Sequence, residues 1–153
     1  MDKKKLIPKG KLFTSNPAGL QNLEVKAELW QIMRAANTLP NCIQVKSLSP
    51  SKTLFLKYSQ EWKGKSYQEW WPKYEKCFNE ELKKDVVVQS LREIYKKLLL
   101  GENIVLICFC NDHRYCHRRL VAEFFEPYGV KPIELNPIKV EQLSIFSEEY
   151  NDN

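Results

Sequence analysis

Glycine is scarce in this chain of 153 residues, with only five in all, and histidine is scarcer, with two. Neither a G-x-G-x-x-G nor a G-x-x-x-x-G-K run occurs, so the dinucleotide fingerprint and the phosphate-cradling P-loop are both absent. No apolar run approaches the length of a membrane span, and no membrane partner is expected. The opening stretch MDKKKLIPKG is basic but has no apolar signal core. A cytoplasmic setting follows as the expectation, with the five cysteines as reduced thiols. Internal repeats and low-complexity segments are also missing, which excludes solenoid and disordered classes.

What is present is ordinary for a globular protein: 43% hydrophobic and 28% charged residues, with a net charge of +5. The charges are mixed along the chain apart from Lys3, Lys4 and Lys5. A nucleic-acid partner is compatible with this surface, and so is a plain solvated coat. The length suits one domain. Residues 1–10 read as a basic tail, 11–136 as a single α/β domain and 137–153 as a C-terminal extension with one brief helix.

The stretch from Gly101 to Gly129 organises the rest. Ile104, Val105, Leu106 and Ile107 form a continuous apolar run, as in a strand buried on both faces of a parallel sheet. Asn111 and Asp112 break it, and Leu120, Val121, Phe124 and Phe125 then recur at helical spacing up to a stop at Gly129. Three of the five cysteines and both histidines fall between Cys108 and His117. Such a strand-to-helix turn is where ligands bind in open α/β sheets.

Upstream, Lys11 to Ser15 reads as a strand closed by Asn16-Pro17. Val25, Leu29, Ile32, Met33 and Ala36 follow helical spacing over 23–36, and Cys42 to Leu48 reads as a second strand. The aromatic segment over 57–82 reads as a helical layer on the sheet, with a stacking platform for bases as the alternative. Ser66 and Glu69 have capping-box spacing for a helix start, with Pro72 implying a kink or a later start. Ser90 and Glu93 repeat that spacing ahead of Leu91, Ile94, Tyr95, Leu98 and Leu99, and Gly101 ends the helix. Lys131 to Asn136 is a last strand. Strands separated by helices imply a mainly parallel sheet of about four strands flanked by helices, Rossmann-like and three-layered.

The carboxyl edge of that sheet would gather Thr14, Ser15, Ser49 and the Cys-His-Arg-Arg segment as an anion pocket. Cys116 is the candidate nucleophile or redox thiol, His117 the acid/base or orienting group, and Arg118 the anion clamp, with Arg119 beside it. Cys116 and His117 also fall on the packed face, where they read equally as core groups. Cys108, Cys110, His113 and Cys116 give a C-x-C-x2-H-x2-C alternative for zinc or iron. C-x-C is tighter than the usual zinc spacing, and no cofactor is predicted. Cys108 and Arg114 match the C-x5-R spacing of cysteine phosphatases, but without glycine in the loop this reads as coincidence.

LICFCNDHRYCHRRLVAEFF, with Cys108, Cys116, His117, Arg118 and the Val121-Ala122-Glu123 run, resembles the hallmark of the family catalogued as domain of unknown function 488. FTS at Phe13 to Ser15, SPS at Ser49 to Ser51 and SYQEWWPKY resemble its earlier parts. The resemblance covers about Phe13 to Asn136. It implies a compact α/β fold and a polar site at Cys108, Cys116, His117 and Arg118, and it brings no established reaction. Many relatives have Glu where this chain has Cys110. The expectation is a cysteine-dependent enzyme for a small anionic or nucleotide-like ligand. The alternatives are a non-catalytic nucleotide or nucleic-acid binding module and a Cys/His metal-binding protein.

Overall fold

In the computed structural model, the described residues are 7–34 and 37–138. Among the described residues, five strands form one all-parallel sheet in the order β3-β2-β4-β1-β5. They are β1 (Leu12–Ser15), β2 (Glu28–Gln31), β3 (Cys42–Gln44), β4 (Ile104–Ile107) and β5 (Ile133–Glu134). Helices α1 (Lys52–Lys57), α2 (Tyr67–Glu81), α3 (Asp85–Leu99) and α4 (His117–Glu123) complete the framework. No helix among the described residues is long and apolar enough to cross a membrane.

Strand β4 is central and wholly buried, as its unbroken apolar run implies. Its side chains alternate between two cores. Ile104 and Leu106 join the large cluster with Leu12 of β1, Trp30 of β2 and the apolar faces of α2, α3 and α4. Val105 and Ile107 join a smaller cluster with Phe13, Met33 and Leu135, closed by partly buried Leu20, Leu23 and Leu29. The sheet is thus covered on both faces, thickly by helices on one and thinly on the other.

The segment expected as a helix over 23–36 instead carries strand β2 at Glu28–Gln31, which adds a strand to the mainly parallel sheet that was expected. Leu29 faces the small cluster and Trp30 the large one, a period-two sidedness that helical spacing cannot give. Pairing with β3 and β4 satisfies the backbone, while buried Gln31 holds the following loop through Asn37 O at 3.1 Å and Leu39 N at 2.8 Å. The strand expected over Cys42 to Leu48 shrinks to β3, followed by a 3-10 turn at Lys46–Leu48. Helix α2 begins after Ser66 and runs through Pro72, without the later start. Helix α3 begins at Asp85, five residues before Ser90, so the Ser90–Glu93 spacing is not a cap. Gly101, at φ 88°, stops it as expected. Helix α4 ends at Glu123, and a separate 3-10 turn at Glu126–Tyr128 leads to Gly129. The brief helix expected after Pro137 lies outside the described residues, apart from Pro137 and Ile138 themselves.

Candidate functional site

The site stands at the carboxyl end of β4. Cys108 still donates its backbone N–H to Ser15 O at 3.0 Å, so its position is fixed by β1. The chain then leaves the sheet, and Asp112 tightens the loop by accepting from Arg114 N at 3.1 Å ahead of a 3-10 turn at His113–Tyr115. Cys116 is the N-cap residue of α4, and His117 and Arg118 open its first turn.

This path converges three sulfurs: Sγ of Cys108, Cys110 and Cys116 all lie within 4.8 Å of one another. Cys108 and Cys116 are buried and Cys110 is exposed. His117 Nδ1 approaches Cys108 Sγ at 3.7 Å and Cys116 Sγ at 4.0 Å. Its Nε2 donates to Ile32 O at 2.5 Å, beyond the end of β2. A carbonyl only accepts, so the proton resides on Nε2 and Nδ1 presents its lone pair to the thiols. Burial lowers the pKa of His117 and keeps the ring neutral.

The three thiols influence one another's ionisation. Hydrogen bonds from the Cys110 and Cys116 thiols bring Cys108 well below the ordinary thiol range, with Arg118 adding to the effect. The neighbouring Cys108 pushes Cys110 up to about 11. Burial, with the adjacent thiols, pushes Cys116 well above the usual value. Of the three, Cys108 is the thiol whose surroundings most favour the anion, and those of Cys110 and Cys116 disfavour it.

Above the sulfurs opens a cleft of about 440 Å³. Cys108, Cys110, Cys116 and His117 line it together with Met33, Arg34 and the rings of Phe55, Tyr58, Tyr67, Trp70, Tyr74, Phe109 and Tyr115. Tyr67 stacks on Tyr115 at 3.9 Å between centroids, joining the start of α2 to the thiol loop. Arg34 donates from Nε to Pro50 O at 2.9 Å.

The other expected site residues do not line this cleft. Arg118 is fully buried and bound to Glu134 through Nε and Nη2. Its Nη1 donates to Cys110 O at 2.8 Å and Cys108 O at 3.2 Å, which fixes the loop carrying the thiols. Thr14 donates to the same Glu134 carboxylate, and Ser15 to Asn16 O. Ser49 Oγ is buried without a hydrogen-bond partner among the described residues. Arg119 pairs with Glu75 and Glu123 and lies over the Trp71 ring. His113 stands apart from the three sulfurs, with Nδ1 accepting from Ile138 N at 3.4 Å. The ring nitrogen nearest the sulfurs is that of His117. Arg114 is held by both oxygens of Asp112, so the C-x5-R spacing does not build a phosphate loop. Sequence reading missed Glu134, whose signal is a lone acid in a short final strand, and Arg34, which lies in the segment read as a helix.

An all-parallel α/β sheet with a thiol-bearing turn after its central strand defines the class of this protein. The family model described as the active DUF488-N3 subclade matches residues 14–129, and the chain belongs to that family. Comparison with curated proteins and with solved structures gives no match.

Proposed function

We propose that the protein is a cysteine-dependent enzyme whose aromatic cleft holds a small planar, anionic or nucleotide-like substrate over the Cys108 sulfur. The observation that carries this reading is the placement of three thiols and an anchored imidazole on the lining of one aromatic cleft. Cys108 is the nucleophile, and Cys110 and Cys116 donate to it. His117 Nδ1 receives or returns the proton at the sulfurs. Arg34 is the cation placed to meet an anionic group, while Arg118 positions the loop. The rings supply stacking surface for a flat ligand.

Those same rings also favour a second reading, a binding module in which bases stack without chemistry. Alkylation of the reduced, metal-free protein, followed cysteine by cysteine, separates the two. The enzyme reading requires Cys108 to react in the folded chain at a pH where ordinary thiols are protonated, and a Cys108 silent until unfolding overturns it. Binding that survives Cys108→Ser and weakens steeply with salt marks the nucleic-acid module.

A further inference from the structure

We propose that Cys108, Cys110, Cys116 and Nδ1 of His117 form a binding site for a thiophilic divalent ion of the zinc class. The inference goes beyond the enzyme reading, since it assigns the same groups a second occupant.

Zinc takes sulfur at about 2.3 Å and imidazole nitrogen at about 2.0–2.1 Å, usually as a tetrahedron. The edges of such a tetrahedron are about 3.8 Å between sulfurs and about 3.6 Å between sulfur and nitrogen. The Cys108 and Cys110 sulfurs are 3.8 Å apart. His117 Nδ1 is 3.7 Å from the first of these and 4.0 Å from the sulfur of Cys116. All three sulfurs lie within 4.8 Å of one another, so an ion entering among them needs only small adjustments.

Two further contacts suit an ion. His117 donates its other ring N–H to Ile32 O, the outer-sphere arrangement that fixes the tautomer and aims the ligating nitrogen. Three thiolates around a dication leave one net negative charge. Arg118, with Nη1 at 3.8 Å from Cys116 Sγ, stands ready to offset it. The donor set differs from the one that spacing suggests, because His113 is turned away to Ile138. Soft sulfur donors favour zinc-like ions over magnesium or calcium.

The test is a titration of the reduced, metal-depleted full chain with cobalt(II) alone, followed by displacement with zinc(II). The expected result is a thiolate-to-cobalt charge-transfer band with intense tetrahedral visible bands, saturating at one ion per chain. Cys110→Ser changes an exposed residue and is expected to preserve the fold, and His117→Gln removes the nitrogen ligand. Each is expected to weaken binding on the order of tenfold or more, while His113→Ala binds as the parent does. Absence of the charge-transfer band overturns the proposal, and so does binding that ignores Cys110→Ser. A spectrum lost in His113→Ala and kept in His117→Gln overturns the ligand set. Bound cobalt with an unreactive metal-free Cys108 supports the metal site while refuting the enzyme reading. A reactive Cys108 with no cobalt band does the reverse.

Discussion

Arg118 and Glu134 meet through two bonds, Nε to Oε1 at 2.9 Å and Nη2 to Oε2 at 3.3 Å, with the arginine side chain fully buried. This pair ties the first turn of α4 to the edge strand β5. The third nitrogen of the same guanidinium holds the carbonyls of Cys108 and Cys110. One buried cation therefore links the sheet edge to the loop that carries the thiols.

Removing one member of this pair leaves an uncompensated buried charge. Arg118→Met or Glu134→Leu alone is expected to lower stability by about 3–5 kcal/mol in urea unfolding. Replacing both by apolar residues is expected to recover part of that loss, and two single losses that simply add would refute the coupling.

Pro72 is exposed within α2 and has no N–H to give the carbonyl four residues earlier. Pro72→Ala is expected to stabilise the protein, by up to about 3 kcal/mol, visible as a higher midpoint in thermal unfolding. An unchanged or lower midpoint would mean that Pro72 supports the packing of its neighbours, Trp71 and Tyr74.

Glu28 of β2 accepts from Trp30 Nε1 at 3.0 Å and from Lys97 Nζ of α3 at 2.9 Å. These bonds, Lys97 first, hold its carboxyl below the ordinary value of 4.5. A depressed carboxyl stabilises the folded state above its unfolded pKa, and the contribution is lost as pH falls through the folded value. Glu28→Gln is therefore expected to be less stable than the parent at neutral pH, by up to about 1 kcal/mol for this partly exposed pair. The gap should close in acid, and a gap independent of pH would contradict the role of the charge.

The sequence made β4 and the thiol loop legible because each depends on neighbours in the chain, and the alternation of strands with helices implied the parallel sheet. The apolar run of Ile104 to Ile107 needs no partner to be read as a buried strand. Strand β2 was not legible in the same way. Leu29, Ile32 and Met33 fit helical spacing as well as a strand, and only pairing on both sides decides between them. The start of α3 was hidden by Val86, Val87 and Val88, a β-branched run that propensity assigns to strands. At the site, the cysteines and His117 were visible as a cluster. The burial of Arg118 was not, because its partner Glu134 lies 16 residues further along. Nor was the cleft, since Tyr58 and Tyr67 reach the thiols only through tertiary packing.

Cys108, at the carboxyl end of β4, is the thiol whose surroundings most favour the anion. The most direct measurement of this is the rate of alkylation against pH, resolved cysteine by cysteine by mass spectrometry on reduced, metal-free protein. Cys108 is expected to react well below the ordinary thiol range of about 8.5, Cys110 only at much higher pH, and Cys116 last of the three. Cys116 reacting first in the folded protein, or Cys108 titrating as an ordinary thiol, would rule out Cys108 as the favoured anion.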